Sequence, residues 1–84
     1  MAYKLSFTRK AEKDLAKLPK KEIASIIEHC VSLETGKNIP GTKKLHPLLK
    51  GYRLRVGQYR ILYVYEDSMN ITVHAIKHRK DVYR

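Results

Sequence analysis

The dipeptide Gly57-Gln58 sits between two runs of strand-forming residues, Tyr52 to Val56 and Tyr59 to Tyr65. Two such runs joined by two residues, with glycine first, predict a β-hairpin closed by a type II′ turn, because glycine accepts the positive φ needed there. The length of the turn also sets the register. Val56 then faces Tyr59, Arg55 faces Arg60, and Arg53 lies on the same side one pair further along. This hairpin therefore decides which residues can enter a core and which must stay outside it.

The remaining elements follow from periodicity. Tyr3-Lys4-Leu5-Ser6-Phe7 alternates apolar and polar residues and reads as a short strand, expected at a sheet edge with its partner left open by pattern. Thr8 can cap a helix in which Ala11, Leu15 and Leu18 recur at helical spacing, and Pro19 ends that helix or opens the next. Ile23, Ile26, Ile27, Cys30 and Val31 form one apolar stripe of a second helix, with Gly36 placed to stop it. From Lys37 to Leu49 both periods fail. Pro40-Gly41 and Pro47 mark a loop, kept basic by Lys43 and Lys44. Asp67-Ser68 is a turn, and Asn70 to about Lys77 is a final strand rich in Ile, Thr and Val. The predicted fold is α+β in the order β-α-α-β-β-β, with an N-terminal helical hairpin packed on a small antiparallel sheet. At 84 residues, positions 1–84 suffice for one domain with a thin core.

Charge narrows the function. Eighteen Lys and Arg stand against eight Asp and Glu, a formal net charge of +10. So much like charge opposes folding by self-repulsion and points to a polyanionic partner, either nucleic acid or an acidic protein. Cys30 is the lone cysteine, which excludes an intramolecular disulfide and suits a reducing cytoplasm. The opening residues lack the apolar run of a signal peptide, and no segment approaches the roughly 20 apolar residues of a membrane span. A cytoplasmic protein without a membrane partner is expected.

On the hairpin, Arg53, Arg55 and Arg60 would share one patch of sheet. Like charges placed opposite one another destabilise a strand pair, so the arrangement makes sense if an anion sits among them. The planar guanidinium fork binds phosphate oxygens in pairs and keeps its charge at any physiological pH. The run His78-Arg79-Lys80-Asp81-Val82-Tyr83 adds cations, an imidazole and a phenol that can stack on a base. Of the four histidines, His29 reads as surface, His46 has no discernible role, His74 reads as structural, and His78 is the one near other site candidates. None has metal-ligand spacing to a Cys or another His. There is no Ser-His-Asp arrangement and no glycine-rich phosphate loop, so no metal or cofactor is expected.

The segment Tyr52-Arg53-Leu54-Arg55-Val56-Gly57-Gln58-Tyr59-Arg60-Ile61-Leu62-Tyr63 resembles the central hairpin of the RelE/ParE toxin superfamily. The tail from His78 to Tyr83 resembles that of its RelE branch, and the opening strand and helix pair occur in the same order. The resemblance implies a RelE/ParE-like fold and the toxin of a type II toxin–antitoxin system. It implies a metal-independent mRNA interferase that enters the ribosomal A site and cuts mRNA through attack by the ribose 2′-hydroxyl. It further implies a cognate antitoxin, acidic or amphipathic, covering the basic face, and a toxin–antitoxin complex able to bind operator DNA.

Residue by residue, Arg53 and Arg55 match the paired basic positions of the first hairpin strand. Arg60 matches the arginine that holds the scissile phosphate, Arg79 the tail arginine that stabilises the transition state, and Tyr83 the tail tyrosine that orients the nucleotide. Lys43, Lys44, Lys50, Lys77 and Lys80 are expected to hold RNA. The family pattern carries lysines at the positions of Arg53 and Arg55. Arginine effectively cannot lose its proton, so acid–base duty would pass to His78 or Lys50. The alternative within the superfamily is a ParE-like gyrase poison without ribonuclease activity. A member acting mainly as a structural partner in a DNA-bound repressor is a third reading.

Overall fold

The computed structural model describes residues 3–35, 42–44 and 51–82, the last two of these through their backbone. Strand β1 (Lys4–Phe7) leads into helices α1 (Arg9–Ala16) and α2 (Lys20–Ser32), and a 3-10 turn follows at Leu33–Thr35. Strands β2 (Thr42–Lys44), β3 (Tyr52–Val56), β4 (Tyr59–Tyr65) and β5 (Asn70–His78) complete a sheet, and a short helix α3 covers Arg79–Val82. The sheet order is β1-β5-β4-β3-β2. The three central strands form the expected antiparallel meander. Strand β1 takes the edge beside β5 and runs parallel to it, pairing Leu5 with Ile71 and Phe7 with Val73.

The α+β fold matches expectation, and its additions have clear causes. Strand β2 lies inside the stretch read as loop. Thr42-Lys43-Lys44 shows no apolar alternation, and it is a strand only because β3 offers a free edge for it to pair with. Helix α2 does not stop at glycine. Its last turn tightens into the 3-10 turn at Leu33, and Gly36 lies outside the described residues, as does His46.

The hairpin turn is as read. Gly57 has φ +58°, while no non-glycine residue among those described has positive φ. Gln58 therefore holds negative φ, and the pair makes a type II′ turn. Alternation then sends Leu54, Val56, Ile61 and Tyr63 into the core with Ile71, Val73 and Ile76. Ala11, Ile26, Cys30 and Leu33 close that core from the helical side. The apolar stripe on α2 is only partly covered. Ile26 and Cys30 are fully buried, but Ile27 is 41% and Val31 50% exposed, because they lie beyond the arc that faces the sheet.

Where β1 ends, α1 takes over the edge of β5. The Thr8 N–H donates to the Val73 carbonyl at 3.0 Å. The Thr8 hydroxyl donates to the His74 carbonyl at 3.1 Å and accepts the Ala11 N–H at 3.1 Å, so one side chain caps α1 and ties it to the sheet. Further along, the Ile76 N–H donates to the Asp14 carboxylate at 3.1 Å. A sheet edge that would be left with bare N–H and C=O groups is thus satisfied by helix side chains.

Candidate nucleic-acid interface

The face of the sheet turned away from the helices carries the charge. Cα partners Arg55 and Arg60 sit directly opposite on β3 and β4, and Arg60 sits opposite Lys77 on β5. Strands lie about 4.8 Å apart, so three cations cross three adjacent strands within about 10 Å. The next row begins with Lys43 opposite Arg53 and continues into Leu62 and Ala75.

A β-bulge creates the first row. Register shifts between Leu62 and Tyr63, so that Leu62 pairs with Ala75 and Tyr63 with Val73, leaving His74 as the extra residue. Counted back from the Asp67-Ser68 turn without that residue, Ile76 would face Arg60 and Lys77 would point into the core. One inserted residue exchanges the two faces of the strand beyond it. His74 itself is exposed, and its Nε2 lies 3.2 Å from the Glu66 carboxylate.

Arg60 is 7% exposed, the one buried charged residue among those described. Its Nη1 donates to the carbonyls of Gly57 (3.2 Å) and Tyr59 (3.0 Å), which folds the guanidinium back over the hairpin turn. Among the described residues no carboxylate forms an ion pair with Arg55, Arg60 or Lys77. The ion pairs Lys10–Asp14 (3.0 Å) and His74–Glu66 (3.2 Å) lie elsewhere. A buried guanidinium bonded to neutral carbonyls, with cations on either side, gains strongly from an anion.

The start of the tail is fastened to the same turn. The Arg79 N–H donates to the Gln58 carbonyl at 2.7 Å. Arg79 and Lys80 are exposed at the start of α3. His78 Nε2 lies 3.1 Å from Gln58 Oε1, the Lys80 N–H donates to His78 Nδ1 at 3.2 Å, and the Tyr59 ring stands edge-on to the imidazole with centroids 5.6 Å apart. The structure thus gathers Arg53, Arg55, Arg60, Lys77, His78, Arg79 and Lys43 around one sheet face and the turn that borders it. Lys44 is set apart. It pairs with Tyr52 and lines a separate cleft with Tyr65. Tyr83 and Lys50 lie outside the described residues. Gln58 was missed by sequence reasoning, because its place beside Arg79 follows from a β4–β5 register that the His74 bulge sets.

An open cleft of about 390 Å³ lies between the end of α1 and β5, lined by Lys10, Asp14, Lys17, Tyr59, Lys77 and His78 among others. Burial pushes the Asp14 carboxyl up, but the Ile76 N–H and the Lys10 ammonium outweigh it and leave the group below the ordinary carboxylate value. Asp14 is therefore anionic and already engaged. Burial pushes the Cys30 thiol up to about 12, which makes it a core residue and no nucleophile. Among the described residues no His, Cys, Asp and Glu cluster suited to a metal ion forms, and no helix is long and apolar enough to cross a membrane.

Residues 5–83 match the family model of the ParE toxin of the type II toxin–antitoxin system parDE. The chain belongs to the RelE/ParE superfamily of type II toxins. Among curated relatives of the superfamily, toxin RelG of Mycobacterium tuberculosis is 33% identical over 86 residues, covering 100% of this chain and 99% of that protein. The toxin–antitoxin complex RelBE2 from M. tuberculosis contains a chain that superposes with a TM-score of 0.80 at 29% identity, covering 94% of this chain and 100% of that one. A chain of the RelB–RelE antitoxin–toxin complex from Methanococcus jannaschii superposes with a TM-score of 0.68 at 32% identity, covering 92% and 93%. The superfamily fold accounts for the helical hairpin on one side of the sheet and leaves the basic face on the other.

Proposed function

We propose that this toxin is a ribosome-dependent mRNA endonuclease that cuts the message in the A site. The observation that carries the proposal is the row Arg55–Arg60–Lys77, with Arg79 fastened to the turn beside it. In this reading Arg60 takes the scissile phosphate, and its buried fork exchanges backbone carbonyls for phosphate oxygens. Arg53, Arg55 and Lys77 neutralise the adjoining backbone, with Lys43 and Lys80 at the margins. The ribose 2′-oxygen attacks phosphorus, its proton passes to a base, and the bond to the 5′-oxygen breaks as that oxygen gains a proton. The products are a 2′,3′-cyclic phosphate and a 5′-hydroxyl. Charge builds on the phosphoryl oxygens in the transition state, where Arg79 joins Arg60 in stabilising it. Tyr83 stacks on the nucleotide, and Lys50 is a further candidate for RNA contact and proton transfer.

The relatives' complexes with antitoxins support a cognate antitoxin here as well, of acidic or amphipathic character and covering the basic face. Repression through an operator-bound complex fits the same charge. A second reading is favoured by the family model itself, which describes a ParE toxin: a gyrase poison that leaves RNA intact. Primer extension on a defined message in a translating extract separates the two. New cuts that appear only when ribosomes occupy the message are expected. Intact message with arrested growth and DNA damage signalling would replace this reading with the gyrase one.

A further inference from the structure

The contacts of His78 assign its proton. Nδ1 accepts the Lys80 N–H, so it must carry a lone pair, and the proton resides on Nε2, which donates to Gln58 Oε1. His78 is the last residue of β5 and directly precedes α3. A side chain there that accepts the N–H two residues on is an N-cap, the role Ser, Asn and Asp usually fill. The main chain repeats the connection, since the Arg79 N–H donates to the Gln58 carbonyl. Meanwhile Arg60 is held by the carbonyls of Gly57 and Tyr59. Both functional arginines are therefore referenced to one turn, Arg60 through its guanidinium and Arg79 through its backbone.

We propose that His78 is a positioning residue: its neutral imidazole caps the tail helix and clips it to the Gly57-Gln58 turn, fixing Arg79 relative to Arg60, and it exchanges no proton with RNA. The proposal rests on the endonuclease reading. An imidazolium has no lone pair on Nδ1 and would lose the Lys80 contact. Lys10, Lys17 and Lys77 line the same cleft, Arg79 and Lys80 follow in the chain, and Asp14 is committed to Lys10 and the Ile76 N–H.

The test compares the intact toxin with His78→Ala and His78→Asn in the ribosome cleavage assay. Asparagine supplies a cap acceptor but cannot exchange protons. We expect His78→Asn to cut within about threefold of the natural protein. Loss of an N-cap should lower the cleavage rate constant of His78→Ala by about 2- to 30-fold at saturating ribosomes, with ribosome affinity unchanged. A His78→Asn as inactive as Arg79→Ala would overturn the proposal in favour of proton transfer, and full activity in His78→Ala would overturn it outright. Nitrogen NMR of the imidazole reports the latch without any RNA. In the natural protein a protonated Nε2 and a bare Nδ1 are expected, and the Lys80 amide should be protected from exchange there and in His78→Asn. A proton on Nδ1 would refute the latch. A natural protein that shows the latch but leaves ribosome-bound message uncut would remove the endonuclease reading, and with it the role given to the latch in cutting.

Discussion

The two faces of the β3–β4 hairpin are built from alternate residues of the same strands, yet they obey opposite rules. On the helical side Leu54, Val56, Ile61 and Tyr63 are buried together, and every one of them adds to stability. On the other side Arg55 faces Arg60, which faces Lys77, and this row works against the fold. A sheet optimised for stability would not place three cations abreast on adjacent strands. The contrast teaches that the core face serves stability, whereas the charge of the open face finds a use only in the proposed contact with RNA.

The sharpest way to break this contrast is Arg60→Ala. Message cleavage should fall about 100- to 1000-fold, the usual cost of removing a donor that stabilises transition-state charge. The urea midpoint should stay near that of the natural protein. A large stability loss with little effect on cutting would invert the comparison. On the other face, Ile61→Ala should destabilise by about 2–5 kcal/mol through a cavity in the core, read as a lower melting temperature. Native protein purified at permissive temperature should still cut.

The edge between the faces gives a smaller effect through Asp14. Its carboxyl lies below its unfolded value in the folded state, so its contribution is fully present above the ordinary carboxylate pKa of 3.8. It is lost as pH falls through the depressed folded value. Urea titrations across that acid range should show this limb in the natural protein and its reduction in Asp14→Asn. The mildest change is Arg55→Ala. It removes one member of the opposed pair and should leave stability unchanged or raise it by about 0.5 kcal/mol, while message cutting declines. A clear loss of stability there would show that Arg55 has a structural partner after all.

The same alternation explains what could be read in advance. Gly57-Gln58 fixed the turn, and with it the placement of Arg53, Arg55 and Arg60, because a two-residue loop permits one register. Strand β2 was illegible, since Thr42-Lys43-Lys44 owes its conformation to a neighbour 10 residues away in the ladder (Lys43 opposite Arg53) and not to its own pattern. Lys77 was foreseen as an RNA contact, but its seat beside Arg60 depends on the His74 bulge, which leaves no signature in residue type. Ile27 and Val31 have the spacing of core residues, and only the width of the sheet beneath α2 decides that they stay outside. The clip between Gln58 and the tail joins a backbone bond from the Arg79 N–H to a side-chain contact from His78, and both depend on the register that the His74 bulge sets, so side-chain pattern could not announce it.

The parallel pairing of β1 with β5 has a kinetic side. The hairpin brings together residues a few positions apart and can zip within about 1–10 μs, whereas Thr8 meets His74 across 66 residues of chain. Closing that long loop is the slow event, and until it happens β5 shows an open ladder to any other chain. The seats of Thr8 and Asp14 on β5 therefore act as a late lock. Stopped-flow refolding should find that Asp14→Asn mainly accelerates unfolding, the behaviour of contacts made after the rate-limiting step. Once closed, the same lock takes that edge of β5 out of reach of other chains.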